Sequence, residues 1–516
     1  MEFDHSLDRE REDLVEEWTK LLNTCRTNIR SLADEHRGEP GCLLISQHWG
    51  SNNVGVRLHW EDGREDWLIR FCIPTRCNLS EGKVVAEVDT LKLLAEKTEI
   101  PVPKVIAYGR ASENPTGLGA FIIMTWLEGT RMSDLIGKRV PVGEDMYETI
   151  LDPNVDKQLL RKLYDEIAEV ILQLWAVNFD RIGTVSWDMD TEEFDTLTPA
   201  FTTCINDMMV YGRVLADDLY TDSFKSALDF FSNTAGQYVT HLMRQRNAVY
   251  NSRDCREKYV CRTLFHSTVP YFTYDIDING PFKLFCDGFH PRNIFVDPET
   301  LKITGIIDWE FSYAAPPQFL GSAPEWLLLK NPCDWADDHG LSSFLKTYLP
   351  KLDLFIESIE KLERQRNMPV GNRESLSTRM RASMDEQTFW FNIAIRNPFS
   401  LDSIYWTVLD NYVFGSSSKT ERVARTASQG GLYEGLESVV ELKIMQLEAY
   451  NEDLGLEPVG YEERQEDEKE DFWLESSARS GSALLPDIPE LGKVVLALVA
   501  VTAAFMLHRR LALVWK

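Results

Sequence analysis

Asn293 and Asp308 are the side chains of this sequence best spaced to hold a divalent cation. The stretch that carries them begins with an apolar strand start, Leu284-Phe285, which runs into the polar loop Cys286-Asp287-Gly288-Phe289-His290-Pro291-Arg292-Asn293. A short strand follows at Ile294 to Val296, then a turn at Asp297-Pro298. A second strand, Ile303 to Ile307, ends in Asp308-Trp309-Glu310. This layout sets an Asn and an Asp at neighbouring loop–strand junctions. Two oxygen-bearing side chains so placed can hold Mg²⁺ between them, and Mg²⁺ can bridge the phosphates of ATP.

The strings Cys286 to Asn293 and Ile307-Asp308-Trp309-Glu310 resemble the catalytic core of the aminoglycoside phosphotransferase and choline kinase-like families. Their usual pattern is His-Gly-Asp-Leu-His-Pro-x-Asn, followed by Ile-Asp-Trp/Phe-Glu. The resemblance implies that Asn293 and Asp308 are the metal ligands. It implies ATP and Mg²⁺ as cofactors and a hydroxyl of a small molecule as the phosphoryl acceptor. The sequence departs from the pattern at one place. Aligned on His-Pro-x-Asn, the position of the family's catalytic Asp falls on Gly288, and the family's leading His is Cys286. Asp287, one residue early, is the nearest carboxylate. In kinases the loop Asp orients the attacking hydroxyl and accepts its proton. Two readings stay open. Either the glycine's free backbone lets Asp287 turn into the site as the base, or the base is lost and the chain is a nucleotide-binding pseudokinase or scaffold. Phosphoryl transfer rests mostly on positioning and charge stabilisation, so loss of the base need not end all turnover.

The elements that must position these groups are predicted upstream. Cys42 to Ser46, Val54 to Trp60 and Trp67 to Phe71 read as strands, with the turn Glu61-Asp62-Gly63-Arg64 between the last two. The loop between the first two holds Gly50 and, just beyond, Gly55, a weak match to a glycine-rich phosphate loop. Arg70 stands on the third strand, where the resemblance places a phosphate-binding cation; a solvent-facing strand Arg is the alternative. Lys83 to Lys97 reads as a helix with Val84, Val88, Leu91 and Ala95 in one stripe. Glu87 lies in it, where the resemblance places the partner of the strand cation. Pro101 and Pro103 stop that helix, and Ile100 to Val105 resembles the family's turn there. Gly119 to Gly129 resembles the fifth strand and inter-lobe hinge, whose backbone at Met124 to Leu127 would serve adenine. Glu310 is open between a role in the acceptor pocket and a loop carboxylate in water.

Further on, Leu160, Leu163, Ile167, Val170, Ile171 and Leu174 predict an amphipathic helix over 157–175, and a second helical region spans about 222–246. Phe311 to Phe319 and Pro324 to Leu329 resemble a fungal-type branch of the phosphotransferases. The fold class implied is α+β and bilobal, protein-kinase-like. A small β-rich N-lobe (40–127) would precede a large, mainly helical C-lobe (128–455), after an N-terminal helical extension (1–39).

The whole chain is compatible with this. Its 516 residues suffice for two or three domains, and 44% hydrophobic with 26% charged residues is an ordinary globular composition. A net charge of −28 argues against nucleic acid as a partner, and suits either solubility or a cationic substrate. Nine Cys at irregular spacing, with no Cys-x-x-Cys, fit a reduced intracellular protein and leave zinc unsupported. An acidic polar linker is read at 456–490. Residues 491–516 follow as an apolar helix whose continuous core, Val494 to Leu507, is shorter than the ~20 residues a bilayer span needs. Its place after a polar linker suggests membrane attachment through 494–507 as a tail anchor, with a buried or interfacial helix as the alternative.

Overall fold

Two helices precede the first strand. The computed structural model describes residues 4–456 except 144–145, 369–370, 372–373 and 428–431. The linker beyond Leu456 and the apolar segment 491–516 lie outside the described residues. Among the described residues no helix is long and apolar enough to cross a membrane. The N-terminal extension is broken at Cys25 into α1 (Ser6–Thr24) and α2 (Arg26–Arg37). Trp18 and Leu22, one turn apart, are buried, while Leu14 and Leu21 face solvent.

Five antiparallel strands form the N-terminal sheet: β1 (Leu43–Trp49), β2 (Asn53–His59), β3 (Trp67–Cys72), β4 (Val105–Gly109) and β5 (Phe121–Thr125), in the order β1-β2-β3-β5-β4. Side chains alternate across a strand. Val54, Val56, Ile69, Phe71, Phe121 and Ile123 therefore turn to one face, where Trp18, Leu22, Ile29 and Leu32 of α1 and α2 cover them. Arg70 turns to the opposite face, paired in register with Gly55 and Ile122. On that side lies α3 (Ser80–Lys97), whose stripe of Val84, Val88, Leu91 and Leu94 is buried. After Pro101 and Pro103 the chain is extended, and Ile306 N donates to Pro101 O at 2.9 Å, tying this turn to the segment between Asn293 and Asp308.

The chain then enters the helical part. Short elements come first: β6 (Thr130–Arg131), α4 (Met132–Ile136) and the hairpin of β7 (Gly137–Pro141) with β8 (Tyr147–Leu151). Helix α5 (Lys157–Ala176) follows the predicted stripe, and Asp156 caps it by accepting from Leu159 N at 2.7 Å. Its buried apolar side chains each contribute about 1.5–3 kcal/mol. The hairpin of β9 (Gly183–Asp188) and β10 (Glu193–Thr198) was not expected from the sequence. Next come α6 (Thr203–Gly212), α7 (Ala227–Arg244) and α8 (Ser252–Phe272), then the short strands β11 (Lys283–Phe285), β12 (Ile294–Val296), β13 (Ile303–Ile306) and β14 (Tyr313–Ala315). Further helices, among them Leu341–Gln365, Leu376–Asp385 and Leu432–Leu454, complete a core around Tyr164, Trp309, Tyr348 and Phe355. The architecture is α+β, a β-rich N-terminal lobe and a larger, mainly helical C-terminal lobe, as the resemblance implies.

Candidate active site

The register of one hairpin brings Asn293 and Asp308 together. Strand β12 pairs antiparallel with β13, Ile294 opposite Ile306. The residue before β12 and the residues after β13 therefore emerge at the same end. Ile307 N donates to Asn293 O at 3.0 Å, and Asn293 Nδ2 donates to Asp308 Oδ2 at 3.1 Å. The same Nδ2 donates to Gly288 O at 2.8 Å. Both bonds use the amide nitrogen and leave Oδ1 as the atom for a cation. At the far end of the hairpin the predicted turn is an Asx turn, with Asp297 accepting from the backbone of Glu299 and Thr300. Asp308 sits at φ 69°, a left-handed conformation that costs a non-glycine residue about 1–2 kcal/mol.

Arg70 and Glu87 form a buried ion pair between β3 and α3, so the strand Arg does not face solvent. A second buried pair, missed in the sequence, lies beside it. Lys83 Nζ donates to Glu310 Oε2 at 2.6 Å and to Asn53 Oδ1 at 3.0 Å. Glu310 also accepts from Asn52 Nδ2 at 2.9 Å and from Asn53 Nδ2 at 2.7 Å. It is thus a buried carboxylate fully engaged with the N-lobe, neither a solvated loop residue nor a wall of the large cavity that Asp287 lines. A signal for Lys83 existed: it precedes Glu87 by one helical turn, so the two charges stand on one face of α3 near its start.

The electrostatics follow from three carboxyl groups (Glu87, Asp308, Glu310) against two cations (Arg70, Lys83) in a largely buried cluster, one positive charge short when all are ionised. Burial and then repulsion by Glu310 push Asp308 up to about 7. Burial alone would raise Glu310 as well, but Lys83 and Arg70 outweigh it and hold Glu310 at about 2. Burial would lower Lys83, and Glu310 overrides that to raise it. A divalent cation at Asn293 and Asp308 fits this donor set: hard oxygen ligands in a place short of positive charge.

Asp287 is held elsewhere. Its Oδ1 accepts from Arg396 Nη1 at 2.6 Å, and Arg396 also bonds Glu325 and lies over the rings of Phe285 and Phe319. Oδ2 of Asp287 is buried without a hydrogen-bond partner. Asp287 lines a cavity of about 580 Å³ together with Phe289, His290, Glu325 and Arg396, and neither Asn293 nor Asp308 lines it. Nearby Asp207 is pushed up to about 7 by burial and by the Asp287 charge. At Gly288, an added Cβ would stand 2.7 Å from Asp308 O. Cys286 is buried and its thiol points to Asp308 O at 3.4 Å. Burial, then Arg292, lower His290 to about 3, and its Nδ1 accepts from Arg292 N, which ties the ring to its own loop.

In the segment expected as the hinge, Met124 lies in the ladder between Leu68 and Val105. Thr125 N donates to Lys104 O and Trp126 N to Asp66 O, both at 2.9 Å. Leu127 packs on β13, close enough that a Cβ on Gly305 would lie 2.3 Å from its Cδ1.

No protein-family model matches the chain. Among curated proteins, it is 28% identical over 243 residues to altered inheritance of mitochondria protein 9, mitochondrial, of Clavispora lusitaniae, covering 46% of this chain and 34% of that protein. It is 30% identical over 114 residues to the protein of the same name from Komagataella phaffii, covering 22% of this chain and 17% of that protein. The match thus spans about a third or less of the length of these relatives. Among solved structures, a putative aminoglycoside phosphotransferase from Ralstonia eutropha aligns with a TM-score of 0.39 at 14% identity, over 81% of this chain and 97% of that one. Aminoglycoside phosphotransferase APH(4)-Ia gives 0.39 at 12% identity, over 81% and 98%. An ethanolamine kinase of Plasmodium vivax gives 0.34 at 12% identity, over 80% and 81%.

Proposed function

We propose that the chain is an ATP- and Mg²⁺-dependent phosphotransferase that moves the γ-phosphate of ATP to a hydroxyl of a small molecule. The observation that carries this reading is the convergence of Asn293 and Asp308 at 3.1 Å beside the buried Arg70–Glu87 pair. Asn293 and Asp308 would hold the metal, which when bound supplies charge neutralisation to the phosphates. Arg70, oriented by Glu87, would bind the α- and β-phosphates. Because the amides of Thr125 and Trp126 bond within the N-lobe, the hinge segment serving adenine narrows to Leu127 and the residues after it, rather than Met124. Asp287 is the carboxylate available to an acceptor. Its unpartnered Oδ2 can take a hydrogen bond from a hydroxyl in the cavity, while Arg396 holds Oδ1.

A second reading has its own support: a nucleotide-binding protein with impaired transfer. Asp287 is tied to Arg396, and position 288 has no room for the missing carboxylate. Both readings share the nucleotide site, so the first test is calorimetry of ATP binding to the full chain with and without Mg²⁺. Binding that requires Mg²⁺, and is lost in both Asn293→Ala and Asp308→Ala, is the expected result. Unchanged binding in both variants would remove the site assignment. Asp287→Asn then separates the readings: it lowers transfer sharply in the first, changes no transfer in the second, and leaves binding intact in both. The names of the two curated relatives carry a mitochondrial location for those proteins. For this chain we take an intracellular location, which the nine free, buried cysteines suit.

A further inference from the structure

The loop between β1 and β2 has the place of a phosphate-covering loop but not its composition. Between Trp49 and Val54 it holds one glycine, Gly50, and three polar residues, Ser51, Asn52 and Asn53. A loop of this kind cannot wrap phosphates by backbone freedom alone. What it does have is a tie across the cleft. Asn52 and Asn53, 258 and 257 residues away from Glu310 in sequence, each give it a side-chain hydrogen bond, and Lys83 closes the ring from α3.

The order of dependence follows from charge. Lys83 is buried, and an ammonium there without a counter-charge is far more costly than a lost neutral hydrogen bond. Glu310 is therefore held where Lys83 needs it. Glu310 in turn lies two residues from Asp308, on the loop that follows β13. The three bonds that Glu310 accepts all join the N-lobe to this one loop.

We infer that Lys83, Glu310, Asn52 and Asn53 form a latch that holds the β1–β2 loop down over the metal loop and so sets nucleotide affinity, with Lys83 and the two asparagines as positioning residues. This rests on the phosphotransferase reading for its nucleotide, but the latch itself is testable without one. The variant of choice is Asn52→Ala/Asn53→Ala, which removes the tie and leaves both buried ion pairs in place.

Hydrogen exchange of the amides at 50–53 is measured first, on the full chain without nucleotide. The latch predicts exchange at least about tenfold faster in the double variant, with each single variant in between and the thermal midpoint of the protein unchanged. Mg·ATP affinity by calorimetry should fall about tenfold in the double variant, a change that a merely structural role would not produce at constant stability. Lys83→Arg keeps the charge and should hold affinity nearer to that of the native protein than Lys83→Met does. Equal loop exchange in native and double-variant protein overturns the latch, whatever the nucleotide does. Faster exchange in a protein that binds no Mg·ATP at all overturns the nucleotide role and the phosphotransferase reading while the latch stands.

Discussion

A Cβ at Gly288 would come within 2.7 Å of the Asp308 carbonyl oxygen and 3.6 Å of its Oδ2. The departure from the family string is therefore built into the packing, and restoring an Asp there is not a simple repair. Gly288→Asp forces the Gly288 and Asp308 loops apart and adds a fourth carboxyl group beside Glu87, Asp308 and Glu310. Overpacking alone costs about 1–3 kcal/mol. The expected outcome is a lowered thermal midpoint and weaker Mg²⁺-dependent ATP binding; a variant as stable as the native protein that gains ATP hydrolysis would defeat this account. That Asn293 and Asp308 emerge together was legible because short-strand spacing fixes which side chains share an end of the hairpin, whereas Arg70 with Glu87 was legible only through the resemblance. Lys83 with Glu310, and Asp287 with Arg396, were not. Those pairs are separated by 227 and 109 residues, and neither spacing nor periodicity reports such closures. The resemblance named Asp287 as the remaining base but could not show that a guanidinium holds it.

Among the elements, α5 shows what sequence reads well and the two C-lobe hairpins show what it reads badly. Helix α5 buries one continuous stripe, so its period appears in the residue types. Strands β7 to β10 are mostly half-buried and polar, and their alternation is diluted below notice. The long helices also bury a titratable group away from the site, which gives a clean pH test. His241 of α7 is fully buried, bonded through Nε2 to Gln245 Oε1 at 2.8 Å. Burial, then the charge of Arg262, lower it from 6.5 to about 3, although the Gln245 bond opposes this. Between those two values the unfolded chain takes up a proton that the folded chain refuses. Stability from this group is therefore complete above about 6.5 and is lost as pH falls towards about 3, with a slope of at most about 1.4 kcal/mol per pH unit. Thermal midpoints measured from pH 7 to pH 4 should fall less steeply in His241→Gln than in the native chain. Parallel curves would show that the histidine is not neutral in the fold.

For the whole molecule, the two-lobe order could be read from the chain, but the use of its first helix could not. Sparse apolar positions in a charged stretch predict a helix and do not say what it spans. In the structure α1 touches both lobes. At its start, Asp4 pairs with Arg213 and its backbone N donates to Tyr211 O at 3.2 Å, while His5 N donates to the Tyr450 hydroxyl at 3.0 Å. Towards its end, Trp18 Nε1 donates to Leu118 O at 3.1 Å, and the Trp18 ring meets Trp49 edge-on at 6.4 Å, at the end of β1 just before the loop tied to Glu310. A rigid helix fixed at both ends makes the unfolding of one lobe felt by the other. Trp18→Ala removes the N-lobe anchor and leaves a cavity among Leu22, Ile29 and the sheet, a loss of about 3–5 kcal/mol. Because that loss falls on the smaller lobe and also cuts the bridge, scanning calorimetry should resolve a separate, earlier N-lobe transition in Trp18→Ala, against one joint transition in the native chain. Asp4→Ala, which breaks the Arg213 pair at the other end and leaves the N-lobe core intact, should narrow the coupling with little change in the N-lobe's own midpoint. A single transition shifted downward in Trp18→Ala would mean that the lobes are coupled through the Glu310 latch and the hinge alone, and that α1 merely covers the sheet.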